Sequence, residues 1–437
     1  MQSLADIINT LSCSHAGGVN LGLERINRLL ADMGNPETKL PPVIHVAGTN
    51  GKGSVIAFLR AMAEAEGLKV HTYTSPHLVS YTERITLAGE RISDDYFAKL
   101  LKETAELNQG GEVSFFELIT ATAFLAFSRV PADLVLLETG LGGRLDATNV
   151  IARPLASIIT SVSRDHMQYL GNTAEEIAAE KICILKPQSF GITAAASDSV
   201  NQVFMDYAAK IGSPLLREGH DWQITESPEG FFYNQDFYPR PSLLGKHQFH
   251  NAGLAITCAK KVLHLGEDSI KKGIETATWA GRLEHLQKGS LAAMTEGKPW
   301  DIWLDGAHNE GAAKALKDFL SAWQDKPLHL ICGMLMSKEA DVFMQTLAPF
   351  ASSIHTLSIT SDEHHAYSAD DLAKIAKDSG AKNVTVSQNV CQAVQDIMAK
   401  YPEGGRILIC GSLYLLGEIL ADTTDFLPSA KPLLHAG

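Results

Sequence analysis

A lysine set between two glycines at the end of an apolar run carries the strongest chemical signal in this chain. Val43-Ile44-His45-Val46-Ala47 is mostly β-branched and apolar and predicts a short buried strand. Gly48-Thr49-Asn50-Gly51-Lys52-Gly53-Ser54 then turns, and Ser54–Glu66 has the spacing and composition of a helix. Strand, glycine-rich turn and helix together make a cradle for phosphate. Glycines let backbone N–H groups converge on the anion, the helix N-terminus adds partial positive charge, and Lys52 adds a full one. The spacing departs from the common G-x-x-x-x-G-K-[ST] loop, because two residues separate Gly48 from Gly51 and Gly53 precedes Ser54. A surface turn would account for the glycines but not for a lysine between them at such a junction. Nucleotide phosphate is the expected ligand.

Other candidates lie just beyond apolar runs. Glu138 ends the predicted strand Asp133–Leu137 and precedes Thr139-Gly140-Leu141-Gly142-Gly143-Arg144. Facing the phosphate turn, its carboxylate could hold Mg²⁺, which takes oxygen ligands and shares its shell with phosphates; the alternative is a helix cap or a pair with Arg144. His166, in SRDHMQYLG, follows the strand Ala156–Thr160, although a lone histidine is more often a packed or surface residue. Lys181 falls on a helix over Ala174–Ile184, where solvation is the default. Asp305 and His308, in WLDGAHN, follow the strand Asp301–Leu304 and could close on the nucleotide from a second domain. His247 and His250 beside Asn251 either touch nucleotide or simply pack. Glu363-His364-His365 reads as a solvated loop, since adjacent histidines point in different directions.

These residues need a scaffold, and the order of elements supplies one. Residues 1–40 look helical, with Leu21, Ile26, Leu29 and Leu30 on one face, and Phe116–Phe127 is an apolar helix. Leu68–Leu78 reads as a strand entering a loop. The recurring strand–loop–helix order predicts an α/β protein whose N-terminal part is a P-loop ATPase-like, doubly wound, mainly parallel sheet. From Gly191 to Pro241 the pattern loosens into short strands and turns, with a helix after it over Phe249–Leu263. The chain changes character around Trp279–Gly289. Beyond it, strands at Asp301–Leu304, Leu328–Cys332, Ser353–Ile359 and Ile407–Cys410 alternate with helices at Glu310–Trp323 and Lys338–Leu347. They predict a smaller, Rossmann-like C-terminal α/β domain, so the expected domains are 1–284 and 285–437.

Composition excludes some classes. At 437 residues, two domains are expected. A net charge of −13 argues against nonspecific nucleic-acid or acidic-membrane binding and demands a local basic pocket for any anionic substrate. The six cysteines are scattered without a C-x-x-C pair, which points to reduced thiols. No basic-then-apolar leader and no apolar run of membrane-spanning length stand out, so a cytoplasmic protein is expected.

The runs LGLERINRLL, HVAGTNGKGSV, YTSPHLVSYTERI, SFFE, LETGLGGRLDATN, SRDHMQYLG, EKICILKP, AGRLEHL, DGAHN and ICGSLYLLGE occur in this order over nearly the whole chain. They resemble those of the folylpolyglutamate synthase/dihydrofolate synthase family, in the superfamily of the cell-wall Mur ligases. The resemblance implies an ATP-dependent amide ligase, expected to be a monomer, that adds L-glutamate to dihydropteroate and to folates through an acyl phosphate. It implies that Thr49, Asn50, Gly51, Lys52, Gly53 and Ser54 bind ATP phosphates and that Asn251, Arg282 and Asp305 also contact ATP. Ser75, Glu138, His166 and a carbamylated Lys181 would hold Mg²⁺, with two ions expected, although Ile182 and Cys183 replace the small residues that usually follow this lysine. Lys52, His166, Lys181, Asp305 and His308 would be the catalytic set. Val19, Asn20, Leu21 and Gly22, then Ser114, Phe115, Phe116 and Glu117, then Leu145, Asp146 and Ala147 would hold the pterin. A synthase restricted to folates, or another Mur-type ligase, are the alternatives.

Overall fold

The computed structural model describes residues 3–14, 21–360 and 365–422. Val19, Asn20, Glu363 and His364 therefore lie outside the described residues. Eight strands form the first sheet: β1 (Val43–Ala47), β2 (Val70–Tyr73), β3 (Ile85–Leu87), β4 (Glu90–Arg91), β5 (Leu134–Glu138), β6 (Ala156–Ile159), β7 (Phe190–Thr193) and β8 (Leu215–Arg217). Their spatial order is β4-β3-β2-β5-β1-β6-β7-β8, parallel except for the β3 and β4 edge.

The order explains where chemistry can occur. The chain leaves β1, crosses to one side for β2, returns to β5, and then places β6 on the other side of β1. The loops beyond β1, β5 and β6 therefore emerge side by side at the topological switch point, where α/β sheets bind ligands. Register sharpens this, since Val46 pairs with Glu138 and Ala47 with Ile159. Every residue of β1 and β5 is buried, as strands covered on both faces require. One face packs Val55, Phe58, Leu59 and Met62 of the helix Lys52–Ala65, together with the helix His247–Cys258. The other packs Leu118, Phe124 and Phe127 of the helix Phe115–Arg129.

Three further strands, β9 (Ile224–Ser227), β10 (Gly230–Tyr233) and β11 (Asp236–Pro239), form a small antiparallel sheet. Six more build the second main sheet: β12 (Glu284–His285), β13 (Trp300–Leu304), β14 (Leu328–Cys332), β15 (Ser353–Thr356), β16 (Val384–Val386) and β17 (Gly405–Cys410). Its order is β12-β13-β17-β14-β15-β16, with only β12 antiparallel. The expected α/β architecture of two sheets is observed. Glu284 and His285, on either side of the expected division, both pair with β13 in this second sheet.

One stretch departs from expectation. Residues 191–241 hold not only short strands and turns but also a helix, Asp198–Ile211. Ser197 caps it by accepting the Val200 N–H, and Val200, Phe204 and Ala208 recur every fourth residue on its buried side. The described residues among 1–40 are helical as expected, in two helices, Leu4–Ser14 and Glu24–Asp32, followed by a short 3₁₀ turn, Pro36–Lys39.

Candidate active site

The phosphate turn has the form its residues dictate. Gly51 adopts φ +92° at the N-cap of the helix Lys52–Ala65, and no side chain caps that helix. Its first N–H groups remain available to an anion. Gly53, the extra glycine, is explained by packing: a Cβ there would lie 2.6 Å from the Trp279 ring. Lys52 Nζ donates to the carbonyls of Gly48 (3.2 Å) and Thr49 (3.4 Å) and stands 3.9 Å from Glu138 Oε1.

A cavity of about 510 Å³ opens over this turn. It is lined by all six residues Thr49–Ser54 and by Ser75, Glu138, His166 and Lys181; Asn251 and Arg282 join them, and Asp305 and His308 come from the second sheet. The expected nucleotide, metal and catalytic residues thus meet in one place.

Their electrostatics are unbalanced. Glu138 is buried; one oxygen accepts the Ser75 N–H at 3.1 Å, and burial raises its pKa despite nearby Lys52. Lys181, 4% exposed, donates to the Gly48 carbonyl at 3.1 Å. Burial, reinforced by Lys52, pushes its ammonium down to about 7. Desolvation within the cavity, reinforced by the ammonium of Lys338, presses the His166 imidazole down to about 4. Asp305 is buried, its oxygens accepting the N–H groups of Leu283 (2.9 Å) and Ala307 (2.8 Å), and burial raises its pKa although Arg282 opposes this. His308 Nδ1–H donates to the Gly306 carbonyl at 2.7 Å, which leaves Nε2 as an acceptor, and burial lowers its pKa to about 3.

The donor set can be tested against a divalent metal. Among the described residues, no three of His, Cys, Asp and Glu gather into a ready-made cluster. Glu138 nevertheless fits a cation, because a buried carboxylate with spare lone pairs facing phosphate turns is an oxygen ligand in need of charge. Ser75 adjoins it. His166 supplies a neutral imidazole. Lys181 as an ammonium does not fit, since it has no lone pair; a carboxylate added to its nitrogen would give it the oxygen ligands that such a cation takes.

The described residues of the segments expected to hold the pterin come together beside the cavity. Glu117 bonds the Ser114 N–H at 2.6 Å and pairs with Arg25 at 3.0 Å, joining SFFE to LGLER next to Leu21 and Gly22. Phe116 packs so closely on Gly140 that a Cβ there would meet its ring at 2.5 Å. Asp146 is buried before the short turn Ala147–Val150 and accepts the Leu141 N–H at 2.7 Å and the Thr148 hydroxyl at 2.6 Å. Leu145 is half-buried between it and exposed Arg144, which pairs with Glu180, not Glu138.

Sequence reasoning missed Asp165, Asn309, Lys338, Gln248 and Glu218. Asp165, Asn309 and Lys338 meet where the two sheets face one another, with Lys338 Nζ 2.7 Å from Asp165 Oδ1. Gln248 bonds Ser54 Oγ at 3.3 Å and accepts from Asn251 at 3.0 Å. His250 pairs with buried Glu218, which raises the imidazole's pKa. Asp165 was visible beside His166 in SRDH; nothing in the local sequence points to Lys338.

The Mur ligase middle-domain model matches residues 46–259, and the dihydrofolate synthetase C-terminal-domain model matches residues 287–422. A dihydrofolate synthase/folylpolyglutamate synthase of Bacillus subtilis is 35% identical over 425 residues, covering 92% of this chain and 95% of that protein. The structure of Escherichia coli FolC in complex with DHPP and ADP is similar at a TM-score of 0.85 and 27% identity, covering 96% of this chain and 97% of that one. A bifunctional folylpolyglutamate synthase/dihydrofolate synthase with Mn, AMPPNP and L-glutamate bound gives 0.80 at 26% identity, covering 96% and 98%.

Proposed function

Because this chain belongs to the dihydrofolate synthase/folylpolyglutamate synthase family, we propose that it is an ATP-dependent ligase joining L-glutamate to dihydropteroate and to tetrahydrofolate or its polyglutamates. The observation that carries this reading is the single cavity into which the first sheet sends the phosphate turn, Glu138, His166 and Lys181 while the second sends Asp305 and His308. The names of the relatives support ATP, a divalent metal and glutamate as its small molecules. Among the described residues no helix is long and apolar enough to cross a membrane. A cytoplasmic monomer made of domains 1–284 and 285–437 is part of the proposal.

The chemistry follows from the donors available. A carboxylate oxygen of the acceptor attacks the γ-phosphorus, an O–P bond forms, and ADP leaves. The glutamate amine then attacks the acyl carbon, loses a proton, and expels inorganic phosphate to leave an amide. No protein nucleophile is needed; positioning and charge neutralisation supply the catalysis. The uncapped N–H groups after Gly51 and the ammonium of Lys52 cradle the phosphates, while Asn251, Arg282 and Asp305 hold the rest of ATP. Glu138 with Ser75, and His166 with carbamylated Lys181, would hold Mg²⁺, which when bound would supply positive charge to the phosphates. The depressed ammonium of Lys181 supports carbamylation, because a neutral amine can add CO₂ and release a proton. The resulting anion would also answer Lys52. Enclosure between the two lobes keeps water from an acyl phosphate. Leu21–Gly22, Ser114–Glu117 and Leu145–Ala147, with Val19 and Asn20 from outside the described residues, form the proposed pterin side.

Phosphate release by the purified chain with MgATP and L-glutamate tests the reading. Turnover with both dihydropteroate and tetrahydrofolate is expected. Turnover with one alone would make the enzyme monofunctional, and silence with both would sink the folate reading in favour of another Mur-type acceptor.

A further inference from the structure

We propose that Asp165 is a positioning residue through which the second lobe sets both the His166 loop and the phosphate turn. The inference rests on the ligase reading above for its kinetic consequences, but its geometry stands alone. One oxygen of Asp165 accepts the His166 N–H at 2.9 Å and Lys338 Nζ at 2.7 Å; the other accepts Asn309 Nδ2 at 2.9 Å. One carboxylate therefore binds the backbone of a proposed metal ligand and two side chains of the opposite lobe.

Asn309 carries the linkage onward. Its amide exchanges two hydrogen bonds of 3.1 Å with the amide of Asn50, inside the phosphate turn. Its oxygen also caps the helix Glu310–Leu320 by accepting the Ala312 N–H at 2.9 Å. Asn50 is anchored at its carbonyl by the Thr160 hydroxyl at 2.7 Å, so a shift of Asn309 is felt in the turn. The approach is close: a Cβ on Gly311 would lie 2.8 Å from Ser163 Oγ and 3.0 Å from Asn50 Nδ2. Glycine is what lets the lobes meet.

Two features make this contact more than a surface ion pair. The side chains of Lys338 and Asp165 are 10% and 9% exposed, so neither charge is free to rejoin bulk water while the lobes are together. His166 holds φ +52°, a left-handed backbone that is uncommon for a non-glycine residue and that neighbouring contacts help to hold. The Asp165–His166 bond is one such restraint, and Lys338 and Asn309 hold Asp165 in place for it. Separation of the lobes would break the bonds to Asp165 and Asn50 together, so the site is complete only when closed.

The test compares Asp165→Asn, Lys338→Ala and their double variant in the full chain, with Asn309→Ala and Lys338→Arg as milder changes. Each of the two singles is expected to lower kcat by about tenfold or more, with KM for ATP within about threefold, because misplacement of catalytic groups costs rate more than binding. The double variant should be no worse than the worse single, Asn309→Ala should be intermediate, and Lys338→Arg should recover most of the rate. Without any substrate, backbone amide exchange across residues 163–171 should speed up in Lys338→Ala. Unchanged exchange, kcat within about twofold of wild type in both singles, or losses that multiply in the double variant would overturn the proposal. If wild type itself shows no turnover, the ligase reading fails, and the exchange result still decides the role of Asp165.

Discussion

The phosphate turn and the Ser114–Glu117 turn each open a long helix against the same sheet, yet they finish those helices in opposite ways. Ser114 and Glu117 form a reciprocal capping box, and Glu117 is paired with Arg25. Gly51 provides no side-chain cap at all, and the charged groups near it are shifted from their ordinary ionisation: burial raises Glu138 and lowers Lys181. A helix end without a cap beside charges held away from their ordinary ionisation is built for a charged ligand. A capped end with paired charges is scaffolding. At the second turn the residues proposed to face the pterin are aromatic, Phe115 and Phe116, one edge-on to Tyr81 and the other against Gly140.

This contrast is broken most directly at Lys52. Lys52→Ala should lower kcat by on the order of 10³-fold or more, since it removes the full charge aimed at the transferring phosphate. Near wild-type turnover in that variant would mean that the uncapped helix is not the phosphate site. Next in size is Lys181→Ala, expected to lose about 10²-fold and to regain part of it when a short carboxylic acid is added in place of the carbamate. The same lysine gives a pH signature. Its ammonium titrates at 10.5 ordinarily and at about 7 in the fold, so between these values the unfolded chain binds the extra proton. Stability of the protein kept free of CO₂ should therefore rise with pH from 7 toward 10.5, and thermal unfolding of Lys181→Met should lack that component of the slope.

The capped turn should respond differently. Glu117→Ala is expected to cost about 2–3 kcal/mol in denaturant unfolding, because it strands Arg25 and opens the capping box. It should raise KM for dihydropteroate while leaving KM for ATP nearly unchanged; an equal rise in both would erase the distinction between the two turns. The smallest effect belongs to Ser114→Ala, about 1 kcal/mol by the same measurement.

The contrast also explains what could be read in advance. The phosphate turn was legible because strand, glycines, lysine and helix are contiguous, and local geometry alone demands those residues. Glu138 was legible from its place at a strand end, whereas His166 and Lys181 stood out only through the family resemblance. Lys181 has the sequence setting of a solvated helical lysine, and only the packing of its helix over the Gly48 carbonyl buries it. Asp165, Asn309 and Lys338 escaped notice because their meaning lies in a meeting of two lobes far apart in the chain. The helix Asp198–Ile211 was missed for a plainer reason: Val200, Phe204 and Ala208 form a thin apolar stripe among polar residues, too weak a periodicity to stand out from the loops around it.

The central claim is that this cavity activates a carboxylate by phosphorylating it. Dihydropteroate labelled with ¹⁸O in its carboxylate, turned over with MgATP and L-glutamate, tests that claim through the mass of the phosphate released. The account predicts that each phosphate carries one ¹⁸O, because the oxygen that attacks ATP leaves with the phosphate when the amide forms. Amide product accompanied by unlabelled phosphate would contradict it.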